Sequence, residues 1–273
     1  KRAPPAQREN GVPQLHVARV ITAAIVAALV IGCSGNDGSP PPRKVPVASA
    51  PVSAQKPLKA GTGSIVGTVS FAGGTPVAAE LNMDADPLCA SAHTSPVTSE
   101  DIVVDASGGL KDVFVYVRSG HAGDYPVPAS EVVLDQKGCV YEPHAIGLRV
   151  GQPLVFLNSD SSAHNVHSLS DVNPSVNKSM PLAGMRLPPV EFDAVEIFKV
   201  KCEVHPWMAA YIGVFDSPFF AVTGSDGSFA LSGLPPGSYT VVAHHGIYGP
   251  TEAEVVIGGD DGDVGTADFS FGG

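Results

Sequence analysis

From residue 63 onward, short apolar runs rich in β-branched and aromatic residues alternate with turn residues. Runs at 64–71, 113–117, 131–134, 148–150, 154–157, 194–200 and 211–215 each have strand length, with Gly, Pro, Asn or Asp between them. No window sustains a helical period with caps. The pattern predicts an all-β sandwich over residues 62–216. A second unit starts near Ser217: 223–229 is a tight turn into a strand, 234–241 a second turn and strand, and 252–257 a third strand. Residues 217–273 are few for an independent core. The stretch 63–79 has a similar look, with a strand, a Gly-Gly turn and Pro76, and would supply the missing strands if the domain between were an insertion.

The amino-terminal part follows a different pattern. Lys1, Arg2, Arg8 and Arg19 precede an apolar run at 20–32, after which the chain turns polar and Pro-rich. Basic residues before an apolar stretch mark the cytoplasmic side, so everything beyond residue 33 is expected to be exported. The run is short of the ~20 residues a span needs. Counted back to Leu15, with Arg19 snorkelling to the interface, it just crosses. Residues 1–33 are therefore expected to form one membrane helix, an uncleaved signal anchor on the periplasmic face of the inner membrane. The alternative is a lipoprotein, because Val30-Ile31-Gly32-Cys33-Ser34 looks like a lipobox with Cys33 as the lipidated residue. Residues 34–61, rich in Pro, Ser and Ala, read as an extended tether.

Composition narrows the function. Acidic residues outnumber basic ones 27 to 16, for a formal charge of -11. That balance argues against nucleic acid, whose phosphates must be met by Lys and Arg. It suits docking to a positively charged protein, although acidity also serves solubility alone. The four cysteines, Cys33, Cys89, Cys139 and Cys202, show no CxxC pairing, so neither a zinc ribbon nor a thioredoxin motif is present.

Two segments carry chemistry. One is 157–167, which holds His164-Asn165-Val166-His167. The other is Cys202-Glu203-Val204-His205-Pro206-Trp207-Met208, about forty residues later. A mononuclear electron-transfer copper takes one thiolate and two imidazoles in a nearly trigonal plane, with a weak axial group. Cys and His in one short loop, plus His from a neighbouring loop, provide that set: Cys202, His205 and His164. The competing reading makes Cys202 a buried structural thiol. His167 lies on the opposite strand face from His164 and reads as a rim residue. His144, His244 and His245 read as surface or turn residues, and Met180 and Met185 as loop packing.

The two segments resemble the ligand segments of plastocyanin and pseudoazurin. The wider stretches 135–144 (DQKGCVYEPH) and 202–208 (CEVHPWM) resemble an exported bacterial group in which a plastocyanin-like domain precedes a carboxypeptidase-regulatory-like unit. That second unit matches at 219–245, and the resemblance covers roughly residues 62–258. It implies a cupredoxin-like Greek-key sandwich at 62–216, a small transthyretin-like β unit at 217–273, and one copper ion. One departure stands out. In plastocyanin-like loops the axial Met follows the His by five residues, and Ala210 stands there. Met208 is the expected axial ligand, with Glu203, or no strong axial group, as alternatives. Its His-x-x-Met spacing looks like that of dinuclear copper domains of respiratory oxidases, but these need a second Cys in the loop. Pro206 and Trp207 are expected to keep the site dry.

In an oxidising compartment Cys89 and Cys139 are a natural disulfide pair, with two separate thiols as the alternative. The resulting expectation is a non-enzymatic, membrane-anchored copper electron-transfer protein, with Cys202 and His205 nearest the electron's exit. Its expected partner is a c-type cytochrome or a respiratory or photosynthetic membrane complex. The alternative is an assembly subunit with a vestigial or empty site. Copper delivery is disfavoured by only four Met residues, and a copper enzyme by the lack of any His-x-His pair.

Overall fold

The computed structural model describes residues 61–74 and 76–272. The expected membrane segment, Cys33 and all of the tether before Gly61 lie outside the described residues. Among the described residues no helix is long and apolar enough to cross a membrane.

The all-β class holds. The described residues form strands and one short helix, α1 (Pro87–Ser91). The strands make two sandwiches. In the first, one sheet has the order β5 (Ala145–Arg149), β11 (Ala209–Phe215), β10 (Glu196–Lys201), β7 (His164–Ser168), β8 (Asn177–Met180). The other runs β4 (Val140–Glu142), β3 (Val132–Lys137), β6 (Leu154–Asn158), β9 (Met185–Arg186). Their inward positions share one core that includes Leu134, Tyr141, Phe156, Val166, Phe192 and Ile212. Along β7 the period-2 alternation buries His164, Val166 and Ser168 and turns Asn165 and His167 outward.

The second sandwich is assembled from distant parts of the chain. β1 (Gly63–Phe71) lies between β13 (Ser228–Leu234) and β16 (Val264–Thr266), and its end also pairs with β17 (Phe269–Phe271). The facing sheet has the order β12 (Phe220–Val222), β2 (Phe114–Ser119), β14 (Gly237–His245), β15 (Gly249–Ile257). Ile65, Val69, Val115, Leu231, Tyr239 and Val241 meet in its core. The close approach of β1 to the chain near Ala267 depends on Gly67: a Cβ there would lie 1.7 Å from the Ala267 carbonyl oxygen.

This pairing draws the domain line elsewhere than at 216/217. The run at 113–117, read as part of the first domain, forms β2 of the second sandwich, and β1 belongs there too. Antiparallel partners more than a hundred residues away decide the matter, and local pattern does not record them. The first sandwich is thus inserted between β2 and β12. Where the two meet, the ring of Phe215, at the end of β11, stacks on Phe220 at 4.7 Å, and Gly147 leaves the space that the Phe220 ring fills.

Between β1 and β2 the chain makes a long excursion. A neck closes where Leu81 N–H donates to Val97 O and Ser99 N–H to Ala79 O, each at 2.8 Å. Inside it, Leu81, Met83, Cys89 and Val97 pack on the first sandwich. The chain then returns, and Ile102, Val104 and Leu110 join the core of the second.

Candidate metal centre

β7 opens with His164, and the loop from β10 to β11 carries Cys202 and His205. That loop closes on itself: Cys202 N–H donates to Met208 O at 3.2 Å and Met208 N–H donates to His205 O at 3.0 Å. Two more main-chain N–H groups, of Asn165 and His205, donate to Cys202 Sγ at 3.4 Å each. Strand and loop thus present their side chains to one point.

His164, Cys202 and His205 are 0, 2 and 2% exposed, and their donor atoms lie within 4.8 Å of one another. The imidazoles turn Nδ1 inward, 3.0 Å apart, with Cys202 Sγ 3.9 Å from His205 Nδ1. Burial works against a charge on Cys202, but contacts from His164 and the main-chain N–H groups outweigh it and bring the thiol below its ordinary value. Burial likewise opposes a proton on His164. Asp160 and Cys202 hold that proton more strongly and raise the group to about 9.

The outer nitrogens are held by carboxylates. His164 Nε2 meets Asp160 Oδ2 at 2.8 Å. Asp160 is fixed by the turn between β3 and β4, where Gly138 and Cys139 both adopt left-handed φ, +66° and +56°. This two-residue turn, of the primed type, points both of its N–H groups at Asp160, at 2.7 and 2.8 Å. His205 Nε2 meets Asp86 Oδ2 at 3.1 Å. Asp86 sits at the N-cap of α1, and Ser162 Oγ donates to the same oxygen at 2.5 Å. The Ser162 contact first, and then those of His205 and the α1 N–H groups, hold Asp86 down at about 2. Cys89 in α1 and Cys139 in the turn form a disulfide. Beneath the site, Tyr141 Oη donates to Asn165 O at 2.9 Å and to Lys201 O at 3.2 Å, tying β7 to β10.

The donor set fits a mononuclear copper. Two inward imidazole nitrogens and one thiolate in a dry pocket are the set that electron-transfer copper takes. Metal bonds of about 2.0–2.3 Å in a trigonal plane would place the donors roughly 3.5–3.8 Å apart. The Nδ1–Nδ1 pair at 3.0 Å and the Sγ–His205 Nδ1 pair at 3.9 Å lie within about half an ångström of those separations. The anchored outer nitrogens supply the orientation that ligating His requires.

The structure brings together the three expected donors and the expected disulfide pair. Met208 is buried, and its main chain closes the loop. Glu203 is excluded from an axial role, because it is turned outward to His167 Nδ1 at 2.5 Å and Lys201 Nζ at 3.0 Å. Ala210 is buried in β11. Met180, expected in loop packing, is fully buried, ends β8 opposite His164, and its sulfur accepts from Gln136 Nε2 at 3.0 Å. His144 and His245, expected on the surface, are 7 and 3% exposed. Burial, first of all, pushes His245 down to about 4. The carboxylates escaped the sequence reading. Asp160 stands four residues before His164, and Asp86-Pro87 is an N-cap and first-turn signal. Neither spacing by itself points at an imidazole.

No family model matches the chain. Among curated proteins, probable rhamnogalacturonate lyase A of Aspergillus clavatus is 24% identical over 157 residues, covering 58% of this chain and 25% of that enzyme. The chain thus spans about a quarter of the length of this curated relative. Among solved structures, the copper-containing nitrite reductase of Thermus scotoductus SA-01 aligns at 22% identity and a TM-score of 0.28, over 37% of this chain and 25% of that one. Amicyanin of Paracoccus versutus aligns at 19% and 0.28, over 37% of this chain and 96% of that one. A purple cupredoxin of Nitrosopumilus maritimus aligns at 23% and 0.26, over 31 and 98%.

Proposed function

We propose that the chain is an exported, membrane-anchored copper electron-transfer protein with one His-Cys-His centre, acting as a carrier rather than an enzyme. The observation that supports this best is the convergence of His164 Nδ1, His205 Nδ1 and Cys202 Sγ in a pocket closed to water. Bound there, copper would cycle between its two oxidation states. The chain's residues hold the two imidazoles by their outer nitrogens and stabilise the thiolate with main-chain N–H groups. Rigid donors cut the reorganisation that accompanies each electron. The Trp207 ring lies 4.9 Å from that of His205 and borders the surface cleft beside it, so it offers an apolar way out of the site.

The membrane attachment through residues 1–33, as a signal anchor or through lipid at Cys33, belongs to the same proposal, as does the periplasmic location. An acidic carrier suits a cationic partner, and a c-type cytochrome or a respiratory or photosynthetic membrane complex is the proposed one. Electron-transfer rates unchanged across a wide salt range would count against that docking.

The deciding experiment is an absorption spectrum of the purified chain, oxidised with ferricyanide, beside metal analysis. An intense visible thiolate-to-copper band with one copper per chain supports the carrier. A colourless protein that takes up no copper would move it to an assembly role with a vestigial site.

A further inference from the structure

The outer edge of His205 is covered. Its Nε2 faces Asp86 Oδ2 at 3.1 Å and Cys89 Sγ at 3.6 Å, and the residue is 2% exposed. The cover comes from the excursion between β1 and β2. Asp86 caps α1 with its other oxygen, accepting from Leu88 N–H at 2.8 Å, and Ser162 holds its Oδ2. Three residues on, Cys89 is bonded to Cys139, whose N–H goes to Asp160, the anchor of His164. One covalent link therefore ties the carboxylate behind one imidazole to the carboxylate behind the other.

We propose that Asp86 is a positioning residue of the metal centre, and that the disulfide-pinned turn carrying it is a closed cover over the outer edge of His205. It rests on the copper reading above. Asp86 accepts a hydrogen bond from His205 Nε2–H, which leaves Nδ1 unprotonated, its lone pair turned toward His164 Nδ1 and Cys202 Sγ. The turn excludes water from that edge. With the cover seated only 2% of His205 stays exposed, at the surface cleft that Asp86 and Trp207 also line.

The test uses the full chain and the variants Asp86→Ala, Asp86→Asn, the double variant Cys89→Ala with Cys139→Ala, and Asp84→Asn as a control. Thermal melts first establish that each is folded. Diethyl pyrocarbonate modification of His205, followed by mass spectrometry on metal-free protein, reads the cover. Nitrogen-15 NMR of the same samples reads the tautomer. Wild type is expected to be slow and Nε2-protonated. Asp86→Ala and the cysteine pair should react at least ~10-fold faster, while Asp86→Asn, which keeps an acceptor oxygen, stays near wild type. Titration with Cu(II) then reads positioning. Asp86→Ala should bind ~10–100-fold more weakly, with a displaced thiolate–copper band, and the Asp84 variant should match wild type in all three. Asp86→Ala with wild-type reactivity, tautomer and copper affinity would overturn the proposal. A wild type that takes no copper sinks the electron-transfer reading instead, and the two metal-free readouts still decide the cover.

Discussion

Tyr141→Phe isolates one hydroxyl that ties the two strands leading into the site. The side chain is 1% exposed, and its Oη donates to Asn165 O at 2.9 Å and Lys201 O at 3.2 Å. Burial, and after it the charge of Cys202, pushes the phenol above its ordinary value, so it remains a donor at every working pH. Phe keeps the ring and its packing, so no cavity of consequence opens. What is lost is one buried O–H shared between two carbonyls, at ~0.5–1.5 kcal/mol net for a single hydrogen bond. In a chain of this size that lowers the melting midpoint by roughly 1–6 °C. Urea unfolding is the assay, with the midpoint shifted and the slope unchanged. Because Asn165 follows His164 and Lys201 precedes Cys202, copper affinity should fall along with stability. A loss under ~0.5 kcal/mol with wild-type copper binding would refute the idea that this hydroxyl fixes the donors.

Three further outcomes are expected. Glu196 accepts from Ser170, Asn173 and the N–H groups of Asp171 and Val172; burial opposes its charge, yet these bonds outweigh it and lower the carboxyl from 4.5 to about 2. Its contribution is therefore complete above pH 4.5 and fades as pH falls toward 2; discounted for solvent screening, Glu196→Gln should cost ~1–2 kcal/mol at neutral pH in urea melts and almost nothing at the acid end, and a pH-independent difference would contradict it. The Cys89–Cys139 bond spans 50 residues, so removing both sulfurs should cost about 2–4 kcal/mol by calorimetry, and an unchanged melt would show the excursion is held by packing alone. At Gly67 the nearest obstacle to a Cβ is a main-chain oxygen 1.7 Å away, so Gly67→Ala must move backbone and should cost at least about 2 kcal/mol; a neutral variant would mean β1 is looser than its pairing implies.

The convergence of His164, Cys202 and His205 was legible because it is local in sequence: Cys202 and His205 share a loop, and His164 opens a strand whose alternation turns it inward. Single strands were legible for the same reason. The pairing was legible only in outline, as the likeness of 63–79 to the second unit; the parallel register of β1 with β16 and β17 joins distant parts of the chain, and no nearby residue encodes it. The helix α1, at five residues, is too short to show a period. Burial of His144 and His245 comes from aromatic neighbours such as Tyr211 and Tyr248, brought in by the fold.

The insertion has a chemical consequence. A ~40-residue connection without strands of its own is unusual in a compact domain and calls for a role. Here both flanks of the connection, β1 and β2, are held by the second sandwich, while its middle packs on the first. The second sandwich thus acts as the frame from which Asp86 and Cys89 are delivered to His205. Were the first sandwich simply followed by an accessory unit, the His205 edge would be independent of everything beyond residue 217. Because β13, β16 and β17 clamp β1, the far sandwich fixes where the excursion starts, the disulfide fixes where it lands, and the environment of His205 becomes a property of both sandwiches together.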